Sequence, residues 1–284
     1  MKDTILVTGA GTGLGLEMSL YLAEKGFNVY ATIPFAEQQA HIEEQAARRH
    51  VSPRVLLLDV TEPNSIAAAV ETILAESGGI FGAINNAGIS LRGYFEDCDD
   101  QEIRRVYDIN VFGAMNVTRA VLPHMRAAKR GRLLYITSIG GRIASMARTA
   151  YCSSKFALEG FAESLYQEVT PLGIHVSAIA PAIVKNERWT VHRGLAKRAQ
   201  DPQSPYFTWF QREEEMADRL VESSPTTNVD VALTAYHALT AAHPKLHYIV
   251  GRRATLAVRL RELMPGNSFE RLILGRAIKQ VTQE

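Results

Sequence analysis

Short runs of β-branched and aliphatic residues alternate along the chain with longer stretches whose apolar positions recur at helical spacing, the order expected of βαβ units building a parallel sheet. Thr4 to Thr8 reads as a first strand, Leu14 to Lys25 as a helix closed by Gly26, Asn28 to Ile33 as a second strand and Arg54 to Leu58 as a third. Glu62 to Ser77 is predicted helical with Pro63 in its first turn, a position where the missing N–H costs nothing. Ala83 to Asn85 is a short strand ending in Asn-Asn-Ala-Gly, Gln101 to Lys129 one or two helices, and Arg132 to Thr137 a strand. A helix from Ala150 to Thr170 stops before Pro171, and a strand from His175 to Ala180 is closed by Pro181. The pattern then breaks: Asn186 to Ser224 mixes charge with Trp189, Tyr206, Phe207, Trp209 and Phe210, as an inserted cap over a ligand would. A helix at Val229 to Ala242 and a strand at Tyr248 to Val250 restore the alternation before a basic amphipathic tail from Gly251 onward. No internal repeat or low-complexity linker interrupts this order, so the expectation is one domain over residues 1–284 of class α/β, a doubly wound parallel sheet with helices on both faces.

Composition narrows the function classes. The 284 residues are 46% hydrophobic, ample for a substantial core, and 31 basic against 30 acidic residues leave a net charge of +1. That balance offers no footprint for nucleic acid or another polyanion. Cys98 and Cys152 stand far apart with no partners at metal-ligand spacing, which argues against a disulfide framework or a zinc site and suits a reducing, cytoplasmic setting. His243 and His247 are four apart, but Pro244 between them disfavours a helical chelate, so no metal is expected. Asp97, Asp99 and Asp100 read as the opening of a helix, where acidic side chains are favoured. The short apolar run at the amino end is too brief for a signal peptide.

Two motifs carry candidate chemistry. The first strand runs through Thr8-Gly9-Ala10-Gly11-Thr12-Gly13-Leu14-Gly15 into a helix. Such a loop lets main-chain N–H groups approach a pyrophosphate and sets the anion on a helix amino terminus. No Lys-Ser or Lys-Thr follows its last glycine, which excludes a P-loop. Further on, Tyr151 and Lys155 lie one helical turn apart on one face, with Ser138 thirteen positions before the tyrosine. Taken alone, such a pair is more often merely a half-exposed helix face. An ammonium beside a phenol, however, favours the phenolate and lowers a pKa that is about 10 when unperturbed, so the pair can exchange a proton near neutrality.

In this order and spacing the residues resemble the short-chain dehydrogenase/reductase family over roughly the first 185 positions, and its single-domain, Rossmann-type branch in particular. Thr8 to Gly15 is similar to the family's glycine loop, Asp59-Val60 to its adenine-contacting pair, and Asn85-Asn86-Ala87-Gly88 to the motif closing its fourth strand. Asn110, Ser138, Tyr151 and Lys155 resemble its catalytic residues. The resemblance implies nicotinamide-dependent hydride transfer: Tyr151 exchanges the proton of the reacting oxygen, Ser138 polarises it, Lys155 assists the tyrosine and bonds the nicotinamide ribose, and Asn110 positions a relay water. It also implies that Gly9, Thr12, Gly13, Leu14, Gly15, Ile33, Asp59, Val60, Asn86, Ala87, Gly88, Tyr151, Lys155, Pro181, Ile183 and Val184 surround the cofactor. Two departures stand out. Pro181-Ala182-Ile183-Val184-Lys185-Asn186 replaces the Pro-Gly and following threonine common in the family. Ile33-Pro34 and Thr12 supply neither the carboxylate that reads the 2′-hydroxyl of NAD nor the arginine that reads the 2′-phosphate of NADP, while Glu37, Glu43 and Glu44 precede the next base at Arg48 and tilt the expectation to NAD.

The chain most resembles hydroxysteroid and retinol dehydrogenases, which implies a small hydrophobic alcohol, ketone or aldehyde as substrate, with Ser145, Met146, Trp189, Phe207 and Trp209, together with Phe95, lining its space. The helices over Gln101 to Lys129 and Ala150 to Thr170 are those through which the family forms homodimers and homotetramers. Seven basic against three acidic residues between Gly251 and Glu284 mark a tail expected to pack on its own domain or a neighbouring subunit rather than on a membrane. Two other classes share the first loop: a methyltransferase, which has no use for the serine, tyrosine and lysine, and a non-catalytic dinucleotide sensor or scaffold.

Overall fold

A computed structural model of the chain describes residues 2–185 and 194–283. Among these, β1 (Thr4–Val7), β2 (Asn28–Ile33), β3 (Arg54–Leu57), β4 (Gly82–Asn85), β5 (Gly131–Ile136), β6 (Ile174–Pro181) and β7 (His247–Val250) pair in parallel into one sheet of order β3-β2-β1-β4-β5-β6-β7. Every residue of β1 and β4 is buried, because a parallel sheet is covered on both faces. Ile5 and Val7 face the layer formed by α1 (Gly13–Glu24) and α8 (Asn228–Thr240), where Met18, Leu22, Val231, Ala235 and Leu239 pack. Leu6, between them, faces the opposite layer, the period of two that a strand imposes. There α3 (Pro63–Ser77), α5 (Ala114–Ala127) and α6 (Thr149–Val169) supply Ile66, Ile73, Val117, Val121, Leu158 and Leu165. Strand order reverses between β1 and β4, and the carboxyl ends of the strands there open the crevice in which doubly wound sheets take their ligands.

Most element boundaries fall within two residues of those read from the pattern. Three features do not follow it. α2 (Gln39–Arg48) leaves no mark in the pattern because it buries only Ile42 and Ala46, too few apolar positions to show a period. The stretch from 101 to 129 is α4 (Asp100–Tyr107), a π-helical turn at Asp108–Gly113, and α5. The former cap segment contains a regular helix, α7 (Phe207–Glu222). Asp99 does open α4: its carboxylate accepts the Glu102 amide at 2.7 Å, and the Glu102 carboxylate accepts the Asp99 amide at 2.9 Å. Asp97 does something else: its buried carboxylate accepts from the Ser204 hydroxyl at 2.8 Å and ties this loop to the segment before α7. The chain ends in α9 (Arg252–Leu263), a π turn and α10 (Gly275–Thr282).

Candidate active site

The glycine loop is built by the residues behind it. Thr8 Oγ1 accepts the main-chain N–H groups of Asn86 and Ala87, each at 3.0 Å, and Asn86 Nδ2 donates to the carbonyls of Thr8 at 2.9 Å and Gly9 at 3.0 Å. The main-chain N–H groups of Asn86 and Ala87 and the Asn86 amide nitrogen thus hold the loop. Gly9 and Gly13 have φ of +64° and +55°, and a Cβ on Gly15 would lie 2.2 Å from the Gly9 carbonyl oxygen, so these positions admit no side chain. Thr12 stands at the cap of α1 without capping it through its side chain, which leaves the first-turn N–H groups to another acceptor. Leu14 packs half-buried on the core behind the turn, and Ile33, buried at the end of β2, receives the Leu58 amide on its carbonyl at 2.8 Å.

Beside the loop, the Gln38 amide crowds the space in front of Gly11, and its Oε1 is buried with no hydrogen-bond partner among the described residues. At the carboxyl end of β4, both amide atoms of Asn85 are likewise buried and unbonded among the described residues. A helix amino terminus without a side-chain cap, a glycine loop, and the buried, unbonded amide atoms of Gln38 and Asn85 are a set that fits a dinucleotide. Asp59 and Val60 are engaged locally: Asp59 Oδ1 accepts the Thr61 amide at 2.9 Å and its hydroxyl at 2.7 Å, and Val60 packs against Gly113 of the π turn. Pro181 ends β6, Val184 is buried in the core, and the Ile183 carbonyl takes the Ser224 hydroxyl.

Ser138 follows β5, and Tyr151 and Lys155 lie on the first two turns of α6. A Cβ placed on Gly140 would sit 3.4 Å from both Ser138 Oγ and Tyr151 Cε1, so hydroxyl and phenol border one small space. Ser138 Oγ accepts the Gly140 amide at 3.0 Å, which orients its own proton away from the main chain. Lys155 is 4% exposed; its ammonium donates to the Ile136 carbonyl at 2.9 Å and lies 6.0 Å from the centre of the Tyr151 ring. Gly88 borders the same group, since a Cβ there would meet Asn110 Oδ1 at 3.0 Å and Lys155 Nζ at 3.5 Å.

Asn110 is buried on the π turn. Its Oδ1 accepts the Ile89 amide at 2.7 Å, and its Nδ2 donates to the Ile89 carbonyl at 2.9 Å and to Ser154 Oγ at 3.0 Å. Both side-chain protons are therefore engaged, and the residue clamps the loop after β4 to the turn of α6 that carries Lys155.

Sequence reasoning missed the support behind Ser138. Glu159, one turn beyond Lys155, accepts the Thr137 hydroxyl on one oxygen, while its other oxygen lies 3.1 Å from His247 Nδ1 and 3.4 Å from Arg142. Residues on both sides of Ser138 are thereby fixed to α6. The i+4 spacing of Lys155 and Glu159 was the one signal available for it.

The residues expected around the substrate separate. Ser145 Oγ is exposed and lies 3.9 Å from Cys152 Sγ, and Met146 is half-buried in the same turn, both close in sequence to Tyr151. Trp189 lies outside the described residues. Phe207 lines a cavity of about 550 Å³ together with Leu195, Phe210 and Glu214; none of Ser138, Tyr151 and Lys155 borders it. Trp209 packs near Tyr94 and Tyr206, which stack at 4.7 Å, while Phe95 points to solvent at 62% exposure and Phe210 belongs to the core. α7 is anchored by two ion pairs: Arg148 to Glu213 at 2.6 Å and Arg92 to Glu214 at 2.8 Å, with Arg92 and Glu213 almost fully buried. Burial first and the Glu213 charge second push the Tyr94 phenol above its usual pKa. Burial likewise pushes the Cys98 thiol up to about 11, so it is no nucleophile at neutral pH.

Over residues 3–193 of the 284, the sequence matches the family described as short chain dehydrogenase. The chain belongs to that family. This short-chain dehydrogenase is 37% identical over 193 residues to the 3-ketodihydrosphingosine reductase of Bacteroides thetaiotaomicron, a match covering 68% of each chain. With 17-beta-hydroxysteroid dehydrogenase type 1 of Homo sapiens it shares 31% identity over 277 residues, 94% of this chain and 83% of the other. A solved short chain dehydrogenase/reductase from Burkholderia phymatum, in complex with NAD, has the same fold, with a TM-score of 0.80 over 92% of this chain and 93% of that one at 20% identity. The family assignment makes the protein an oxidoreductase and removes the methyltransferase reading.

Proposed function

We propose that this short-chain dehydrogenase interconverts a hydrophobic alcohol and its ketone or aldehyde with NAD(P) as hydride partner. The observation that carries the reading is the common space at Gly140 shared by Ser138 Oγ and the Tyr151 ring, with the Lys155 ammonium held alongside by Ile136. When bound at the glycine loop, the nicotinamide cofactor supplies or accepts the hydride. Negative charge then develops on the substrate oxygen during reduction. Ser138 donates its hydroxyl proton as a hydrogen bond there, and Tyr151 transfers its phenolic proton to the same atom, roles that reverse during oxidation. Lys155, with one of its three donors on the Ile136 carbonyl, places a fixed cation where it stabilises the phenolate left behind. Asn110 is a positioning residue in this scheme, through Ser154 and Ile89.

The cofactor reading favours NAD, since the neutral Gln38 amide rather than a guanidinium lies against Gly11. The substrate reading rests on two relatives named for a ketosphingoid and a steroid, and on the aromatic wall at Tyr94, Tyr206 and Trp209 close to the Arg148 turn. We place the protein in the cytoplasm, which suits its two free cysteines, and its homo-oligomer contact on the π turn and α6, where Phe112 and Phe156 are exposed. The test is a panel of long-chain and steroidal ketones, each with NADH and with NADPH, followed by loss of the reduced-nicotinamide absorbance. Turnover of apolar ketones, faster with NADH, is expected. Activity confined to small polar sugars overturns the substrate class, and tighter binding of NADPH overturns the cofactor preference.

A further inference from the structure

α9 is arranged the wrong way round for a helix on an ordinary soluble surface. At about 100° per residue, Leu256, Leu260 and Leu263 fall within roughly 60° of one another, while Ala254 and Val258 lie on the opposite side. The structure buries the small pair, at 7% and 3% exposure, and presents the three leucines to solvent at 69%, 41% and 82%. A contiguous bulky apolar stripe of this kind marks a surface that is covered in use. Arg252, Arg253 and Arg259 are exposed and flank the stripe, each within about 60° of Leu256. The acid of this helix, Glu262, is turned aside to Arg142, 3.4 Å away, and Arg261 donates to the Arg142 carbonyl on the inner side.

We propose that this outer face of α9 docks the enzyme on the surface of a membrane containing anionic phospholipid. Charge decides the occupant. A second copy meeting the patch about a two-fold axis would set three arginines against the same three arginines, whereas anionic headgroups neutralise them as the leucines enter the acyl boundary. The twelve residues of α9 lie in the interface, as they are far short of the ~20 needed to span it, and no helix among the described residues is long and apolar enough to cross a membrane. The following segment extends the same chemistry, with exposed Leu272 and Ile278 among Arg271, Arg276 and Lys279. Its end is fastened to the cap helix: Arg212 of α7 donates to the carbonyls of Val281 and Gln283, each at 3.2 Å. α9 itself starts from the carboxyl end of β7, the sheet edge that also carries Ser138. This inference stands on exposure and charge and holds whatever the substrate is.

The test is co-sedimentation of the full chain with vesicles of phosphatidylcholine alone or mixed with phosphatidylglycerol. Sedimentation with the mixed vesicles and not the neutral ones is expected, weakening as salt rises. R252Q/R253Q/R259Q is expected to lower the partition coefficient about a hundredfold, at roughly fivefold per basic residue. L256S/L260S/L263S is expected to lower it tenfold or more, and both variants should melt with the wild type, since all six side chains are exposed. A wild-type protein that stays in the supernatant with anionic vesicles overturns the proposal. So does a leucine variant that binds as the wild type does, or a dimer that this variant disperses in the absence of any vesicle binding. If either triple variant fails to fold, the salt dependence of the wild type on mixed against neutral vesicles gives the decision.

Discussion

At the scale of single residues, the site is a set of side chains whose hydrogen bonds leave few choices. Asn110 is the clearest case, because its amide satisfies both polar main-chain groups of Ile89 and the Ser154 hydroxyl at once. Asn110→Ala is expected to leave those buried groups unpaired and to cost about 2 kcal/mol or more, read as a lower denaturation midpoint. Turnover should fall with it, because the turn carrying Lys155 loses its clamp. Unchanged stability would show that the clamp is not made in solution. Helical spacing puts Tyr151 and Lys155 on one face whatever the rest of the fold does, but it was the order of motifs shared with the family that singled out this pair and Ser138 in the sequence. Gln38 and Glu159 were not legible there. Gln38 meets Gly11, and Glu159 meets Thr137 and His247, only through the path of the sheet, and no local pattern announces such contacts.

At the scale of elements, the alternation of strand and helix was readable wherever the apolar period was long enough, and it failed where tertiary contacts replaced periodicity. The aromatic-rich stretch around residue 207 shows no regular helix in the sequence pattern, yet it forms α7, held by ion pairs spanning 65 and 122 residues of sequence. Arg148 is also the residue before α6, so the anchor of α7 and the turn leading to Tyr151 are one structure. Arg148→Ala is expected to strand the Glu213 carboxylate, 3% exposed, and to destabilise the protein by about 3 kcal/mol. Replacing both partners, as Arg148→Met with Glu213→Leu, should recover most of that loss, since the stranded charge is removed with its counter-ion. Chemical denaturation of the two variants checks this, and a double variant no better than the single one would contradict it.

At the scale of the whole molecule, the parallel sheet is what makes one site from distant segments. Each strand delivers the loop that follows it to the same edge, so the glycine turn after β1, the Asn-Asn-Ala-Gly turn after β4 and Ser138 after β5 converge although up to 130 residues separate Thr8 from Ser138. The direction of the sheet, and hence the meeting of these motifs, followed from the sequence pattern. What the pattern did not convey was which faces of the late helices stay uncovered, since that depends on how α9 sits against the body. The central claim is that Tyr151 moves the proton that accompanies hydride transfer. The most direct measurement is a single-turnover record of reduced-nicotinamide absorbance for Tyr151→Phe beside the wild type, with the dissociation constant of NADH measured for both. The account predicts a rate lower by about 10²- to 10⁴-fold with NADH binding nearly unchanged. A variant that turns over at the wild-type rate would contradict it.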